Sequence, residues 1–69
     1  MRDLLEQLVG EMVEKGIRFG DAQREFDRRF ITRVVQRCDG NLSKAADVLG
    51  VHRNTLTRKI QTLKIRGLR

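Results

Sequence analysis

The most constraining stretch of this chain runs from Gly40 to Ile65, GNLSKAADVLGVHRNTLTRKIQTLKI, because it holds two short helical periodicities with almost no chain between them. Asn41 precedes apolar Leu42, Ala45, Ala46 and Leu49, spacings that put all four on one helix face, and its side-chain oxygen can cap a free backbone N–H. The helix is expected to stop at Gly50, since glycine takes the left-handed conformation that closes a helix. The chain then turns through Val51 and His52 and starts again, with Arg53 in the first turn. Leu56, Ile60 and Leu63 recur at i, i+4 and i+7 as an inward stripe, while Asn54, Thr57, Arg58 and Gln61 point roughly the other way at about 100° per residue. Small Ala45 and Ala46 permit close approach, and the short turn implies a steep crossing. The pattern predicts a helix-turn-helix whose second helix suits a DNA major groove; any helical hairpin in a small α domain shares the periodicity.

Charge separates these readings. Residues 1–40 hold eight Lys or Arg and eight Asp or Glu, whereas residues 41–69 hold seven basic residues (Lys44, Arg53, Arg58, Lys59, Lys64, Arg66, Arg69) against Asp47 alone. The formal net charge of +6 therefore lies wholly in the second part. A solvated helical surface mixes signs, and one-sided segregation is the footprint of a polyanion binder. A membrane surface would require a broad apolar face with anchoring aromatics on the basic helix, which has only a narrow stripe and no aromatic.

With 69 residues the chain is one small domain. A chain of this size buries about 60% of its unfolded surface and is marginal unless a disulfide, a metal or a second subunit helps. A single cysteine, Cys38, excludes an internal disulfide, and a single histidine leaves no ligand cluster for structural zinc. Cys38 itself reads as a small buried hydrophobe suited to a reduced cytosol. No apolar run approaches the ~20 residues of a membrane span, and the N-terminus is not a signal peptide, so a soluble, cytoplasmic protein is expected.

The N-terminal part supplies the surfaces for a second subunit. Leu4, Leu5, Leu8, Val9, Met12 and Val13 form two adjoining stripes, predicting a helix from about Asp3 to Lys15 closed by Gly16, with Gly10 weakening it by about 1 kcal/mol relative to alanine. After a link over 17–20, a long helix is predicted from Asp21 to Arg37 or Cys38. Ala22, Phe26, Phe30 and Val34 form one line on it, and Ile31, Val35 and Cys38 a second. One line is expected on the helix-turn-helix; the other, with the first helix, faces a twofold mate. Closure of both over a monomeric core is the alternative. Phe19, Phe26 and Phe30 read as core. Arg29, Arg33 and Arg37 form a solvated stripe with Glu25 spaced to pair with Arg29, and Arg33 or Arg37 contacting flanking DNA is a second reading. The tail, Arg66 to Arg69 with Gly67, is expected to fray.

Gly40-Asn41, Ala45-Ala46, Leu49-Gly50 and the run Arg53-Asn54-Thr55-Leu56-Thr57-Arg58-Lys59 together resemble the C-terminal part of the Fis family, and equally the Fis-type domain that ends enhancer-binding activators of the NtrC kind. The likeness is strong from about Glu25 to Ile65. It implies an all-α, four-helix Fis-like fold: two dimerisation helices over 1–38, then a helix-turn-helix over 39–66. It also implies a bacterial, homodimeric regulator of transcription or nucleoid-associated protein bound to double-stranded DNA. In the family the arginine matching Arg53 reads a base edge, while residues matching Asn41, Ser43, His52, Thr55, Thr57, Arg58 and Gln61 lie against backbone or groove.

Elementary chemistry agrees for most of these. An arginine opening a major-groove helix can form a bidentate pair with guanine, Arg58 and Lys59 suit phosphates, and Asn41, Ser43 and Lys44 sit at a helix start, where phosphate is favoured. Asn54 points outward beside them. Thr57 and Gln61 stand where Fis itself has basic residues, which implies fewer phosphate contacts. The arm by which Fis engages recombinases has no counterpart, so recombination enhancement is not implied. The sequence holds no nucleophile–base constellation and no phosphate-binding glycine loop, so neither an enzyme, a cofactor nor a small-molecule substrate is expected. An RNA-binding or protein-bridging helical module stays open on charge alone, but no aromatic for base stacking follows Phe30.

Overall fold

The computed structural model describes residues 2–65, which form four helices and no strand: α1 (Arg2–Glu14), α2 (Phe19–Arg37), α3 (Leu42–Leu49) and α4 (Arg53–Thr62). The expected tail, Arg66 to Arg69, lies outside the described residues. α2 starts two residues earlier than its apolar periodicity suggests. Arg18 is the extended residue at its start, and the Ala22 N–H already donates to the Arg18 carbonyl at 2.9 Å. Gly20 is thus inside the helix, and Asp21, paired with Arg24, meets the positive end of the helix dipole.

All four helices close in the same way. An N–H two or three residues past the helix end reaches back five residues: Ile17 to the carbonyl of Met12, Gly40 to Val35, Val51 to Ala46 and Ile65 to Ile60, at 3.0–3.1 Å. The residue before each donor has a positive φ, at Gly16 (73°), Asp39 (54°), Gly50 (74°) and Lys64 (55°). This closure feeds otherwise orphaned carbonyls. Two of the four use a residue with a side chain, Lys64 at the larger steric cost because aspartate tolerates that conformation better.

The core is small and lies where α2, α3 and α4 meet: Ile31, Val35, Ala45, Ala46, Leu56 and Leu63 are buried, with Val34, Cys38, Leu42, Leu49, Ile60 and Ile65 packed around them. Complete burial of Ala45 is what lets α3 lie close against its neighbours. Leu56 and Leu63 realise the expected inward stripe of α4, and Cys38 is half-buried against the core.

The two lines of α2 part here. Ile31, Val35 and Cys38 serve the helix-turn-helix, and so does Val34 at the end of the other line, whereas Ala22, Phe26 and Phe30 of that line border a cleft with α1. The expectation that all three aromatics are core does not hold within one chain: Phe19, Phe26 and Phe30 are 82%, 58% and 50% exposed. The reason is that α1 does not pack down on them: none of its own residues is buried. Leu5, Leu8, Val9 and Met12 overhang an open apolar cleft of about 740 Å³ that Phe19, Phe26 and Phe30 also line, and Leu4 and Val13 lie on the outside of α1.

Candidate nucleic-acid interface

The helix-turn-helix is built from its caps. Asn41 has extended backbone and accepts the Lys44 N–H on Oδ1 at 3.1 Å; His52, also extended, accepts the Asn54 N–H on Nδ1 at 3.1 Å. Each cap satisfies one orphan donor and defines where its helix begins. Between them Gly50 lets the chain reverse in three residues. As a result the starts of α3 and α4 carry free N–H groups next to exposed polar side chains.

Asn41, Ser43, Lys44, His52, Arg53, Asn54, Arg58, Lys59 and Gln61 are exposed, while Thr55 and Thr57 are half-buried beside Leu56. Leu56 and Leu63 face the core, so Asn54, Arg58 and Gln61 project from the opposite side of α4 at about 100° per residue. Arg53 and Thr57 flank that row on one edge, Thr55 and Lys59 on the other. Among the described residues Lys44, Arg53 and Arg58 make no ion pair, and neither do Arg33 and Arg37 on α2.

Lys59 differs from its neighbours. Its ammonium lies 3.7 Å from Asp27 Oδ2 on α2, so part of its charge is offset within the protein. It borders, with Thr55, Arg58 and Thr62, a shallow groove against Gln23 and Arg24 of α2. The expected pair of Arg29 with Glu25 is present at 3.4 Å, and Glu25 also binds Arg28 at 2.8 Å.

Two residues at this site escape a reading of the sequence: Asp27, which holds Lys59, and Arg28, whose Nε and Nη2 donate to the Leu63 carbonyl at 3.3 and 3.2 Å. The one signal available is general, that the carbonyl end of a helix attracts a cation. Nothing in the pattern says that the cation comes from 35 residues upstream.

Among the described residues no cluster of His, Cys, Asp and Glu could hold a metal ion, and no helix is long and apolar enough to cross a membrane. Residues 22–63 match the family described as bacterial regulatory protein, Fis family. The chain is 36% identical over 62 residues to the DNA-binding transcriptional regulator NtrC of Klebsiella pneumoniae, and 34% identical over 62 residues to that of Escherichia coli. It is 40% identical over 42 residues to a signal-transduction and transcriptional-control protein of Clostridium beijerinckii. These alignments cover 81%, 81% and 61% of this chain but 13%, 13% and 7% of the respective relatives, so the chain spans a small part of their length. No solved structure matches the chain.

Proposed function

The chain belongs to the Fis family of bacterial regulatory proteins, and from that premise we propose that it is a homodimeric, non-enzymatic duplex-DNA-binding unit of a transcriptional regulator, acting in the bacterial cytoplasm at the nucleoid. In this reading residues 1–38 form the dimerisation region and 39–66 the DNA-binding region. The observation that carries it is the row of exposed, ion-pair-free side chains along the outer side of α4, opposite buried Leu56 and Leu63. A helix presenting one polar face with two free guanidiniums meets the requirement for entering a polyanionic groove.

Roles follow from position. Arg53, in the first turn of α4, reads bases through its planar fork. Arg58 binds phosphate, assisted by Lys59 to the extent that Asp27 releases it. Asn41, Ser43 and Lys44 at the start of α3, and His52 and Asn54 at the start of α4, take backbone phosphates by their side chains, the N–H groups of Lys44 and Asn54 being used by the caps, while Thr55, Thr57 and Gln61 hold register along the groove. The relatives named NtrC are described as DNA-binding, which supports this use of the region they share.

Dimerisation is supported by the unburied apolar surface of α1 and α2. Leu5, Leu8, Val9, Phe19, Phe26 and Phe30 line one apolar cleft and are all exposed, a larger contiguous apolar surface than a small monomer carries without a use for it. The test is a gel shift of the full chain with duplex DNA and with single- and double-stranded RNA of the same sequence. Preference for duplex DNA is expected; equal or tighter binding of RNA would overturn the reading in favour of an RNA-binding module.

A further inference from the structure

The buried stripe of α4 fixes which face of the helix is hidden, but hydrophobic contact is non-directional and sets its angle only loosely. The directional constraints lie at the two ends. At the start, the turn from Gly50 to His52 ties α4 to α3. At the far end, the guanidinium of Arg28 donates from Nε and Nη2 to the carbonyl of Leu63, at 3.3 and 3.2 Å, while its Nη1 is held by Glu25 Oε1 at 2.8 Å. That carbonyl belongs to the residue capping α4. It is one of the acceptors that a helix end leaves without an intrahelical partner, and it carries the negative end of the dipole. Arg28 is half-buried, so this contact is only partly open to competing water.

From this geometry we infer that Arg28 is a positioning residue for DNA recognition: it fixes the angle of α4 against α2 and thereby the separation of the two reading helices across the dimer. The inference rests on the DNA-binding and dimer assignments proposed above. α2 belongs to the dimerisation region and α4 to the reading region, so the clamp joins the two. The leverage is large. Ten residues of α4 span about 15 Å, so a swing of about 10° about the Leu63 end carries Arg53 about 2.5 Å. Placement errors of about 1 Å already degrade an oriented contact severely. The neighbouring pair of Lys59 with Asp27, at 3.7 Å, acts on the same joint but is longer and made by a flexible ammonium, so Arg28 carries the geometry.

The experiment measures the full chain and its Arg28→Ala, Arg28→Lys and Glu25→Gln variants on a series of duplexes. The two half-sites of a selected site are moved apart or together by single base pairs, at a temperature where circular dichroism shows each variant fully helical. Loss of the clamp is expected to cut the preference for the selected spacing over its neighbours by about fivefold, within the range one such hydrogen bond can supply. The slope of affinity against salt should stay unchanged, Arg28→Lys should recover part of the preference, and Glu25→Gln should lose a smaller part.

An equal drop at every spacing, or an unchanged preference in both Arg28→Ala and Glu25→Gln, would overturn the inference and leave Arg28 a stabilising residue only. A salt slope smaller by about one phosphate, with full recovery by lysine, would also overturn it, since Arg28 would then touch DNA directly. Failure of the unmodified chain to prefer any spaced pair of half-sites would overturn the underlying DNA-binding reading as well, and is seen before any substitution is made.

Discussion

The rings of Phe26 and Phe30 lie 5.2 Å apart at 31°, one helical turn from each other on α2, and both are at least half exposed. They face the open side of the cleft under α1. A pair of tilted aromatics left half exposed forgoes much of the burial that its apolar area could supply, unless another surface covers it. The expected cover is the same face of a second chain. Sedimentation equilibrium at micromolar concentration should give twice the 8.0 kDa mass of the chain, and Phe30→Glu should give the single mass. In a monomer the same exposed substitution would change stability by only about 0.5 kcal/mol and leave the mass as it was.

Asn41 divides its amide between two tasks. Its Oδ1 accepts the Lys44 N–H, and its Nδ2 is left to donate outward. Asn41→Ser keeps an acceptor for the cap and removes the outward donor, whereas Asn41→Ala removes both. Thermal denaturation should show a loss of about 1 kcal/mol for alanine and little for serine. Duplex affinity should fall for both, and a serine variant with full affinity would mean that the side chain of Asn41 only caps.

Arg58 and Lys59 are adjacent in sequence but unequal in surroundings, because Asp27 already offsets part of the charge of Lys59. Arg58→Ala should lower the log–log salt slope by about 0.9 per site, the value for one neutralised phosphate. Lys59→Ala should lower it by less, and Asp27→Asn should raise affinity by freeing the ammonium. Reversing both Arg58 and Lys59 to glutamate should nearly abolish binding. Unchanged affinity in that double variant would remove α4 from the DNA interface.

Lys64 closes α4 with a φ of 55°, where a Cβ crowds the backbone. Lys64→Gly relieves that strain at some cost in unfolded-chain entropy, and a net gain of about 0.5 kcal/mol is expected, read as a rise in Tm. An unchanged or lower Tm would indicate that the lysine side chain contributes at that position.

The second half of the fold was legible because its signals are local. Asn41 and Gly50 mark the ends of α3, and Leu56, Ile60 and Leu63 mark the inner side of α4 by spacing alone. The closures at Asp39 and Lys64 were not legible, since residues with side chains rarely take that conformation and nothing in their identity announces it. The exposure of Phe19, Phe26 and Phe30 was not legible either: periodicity reports that a face is apolar but not which surface covers it. Arg28 was hidden for a different reason. It sits among Arg24, Arg29 and Arg33 on α2, and its partner is a backbone carbonyl far along the chain, which has no residue identity to read.

In the proposed reading α4 reads sequence through Arg53. Its place in the first turn puts the guanidinium at the leading end of the helix, exposed and without an ion pair among the described residues. Arg53→Ala is titrated in parallel against a duplex site selected by the unmodified chain and against random duplex. A loss of about 1–3 kcal/mol on the selected site and far less on random DNA is expected. Equal losses on the two would contradict it, since Arg53 would then be a phosphate contact and sequence would be chosen elsewhere or through DNA bending.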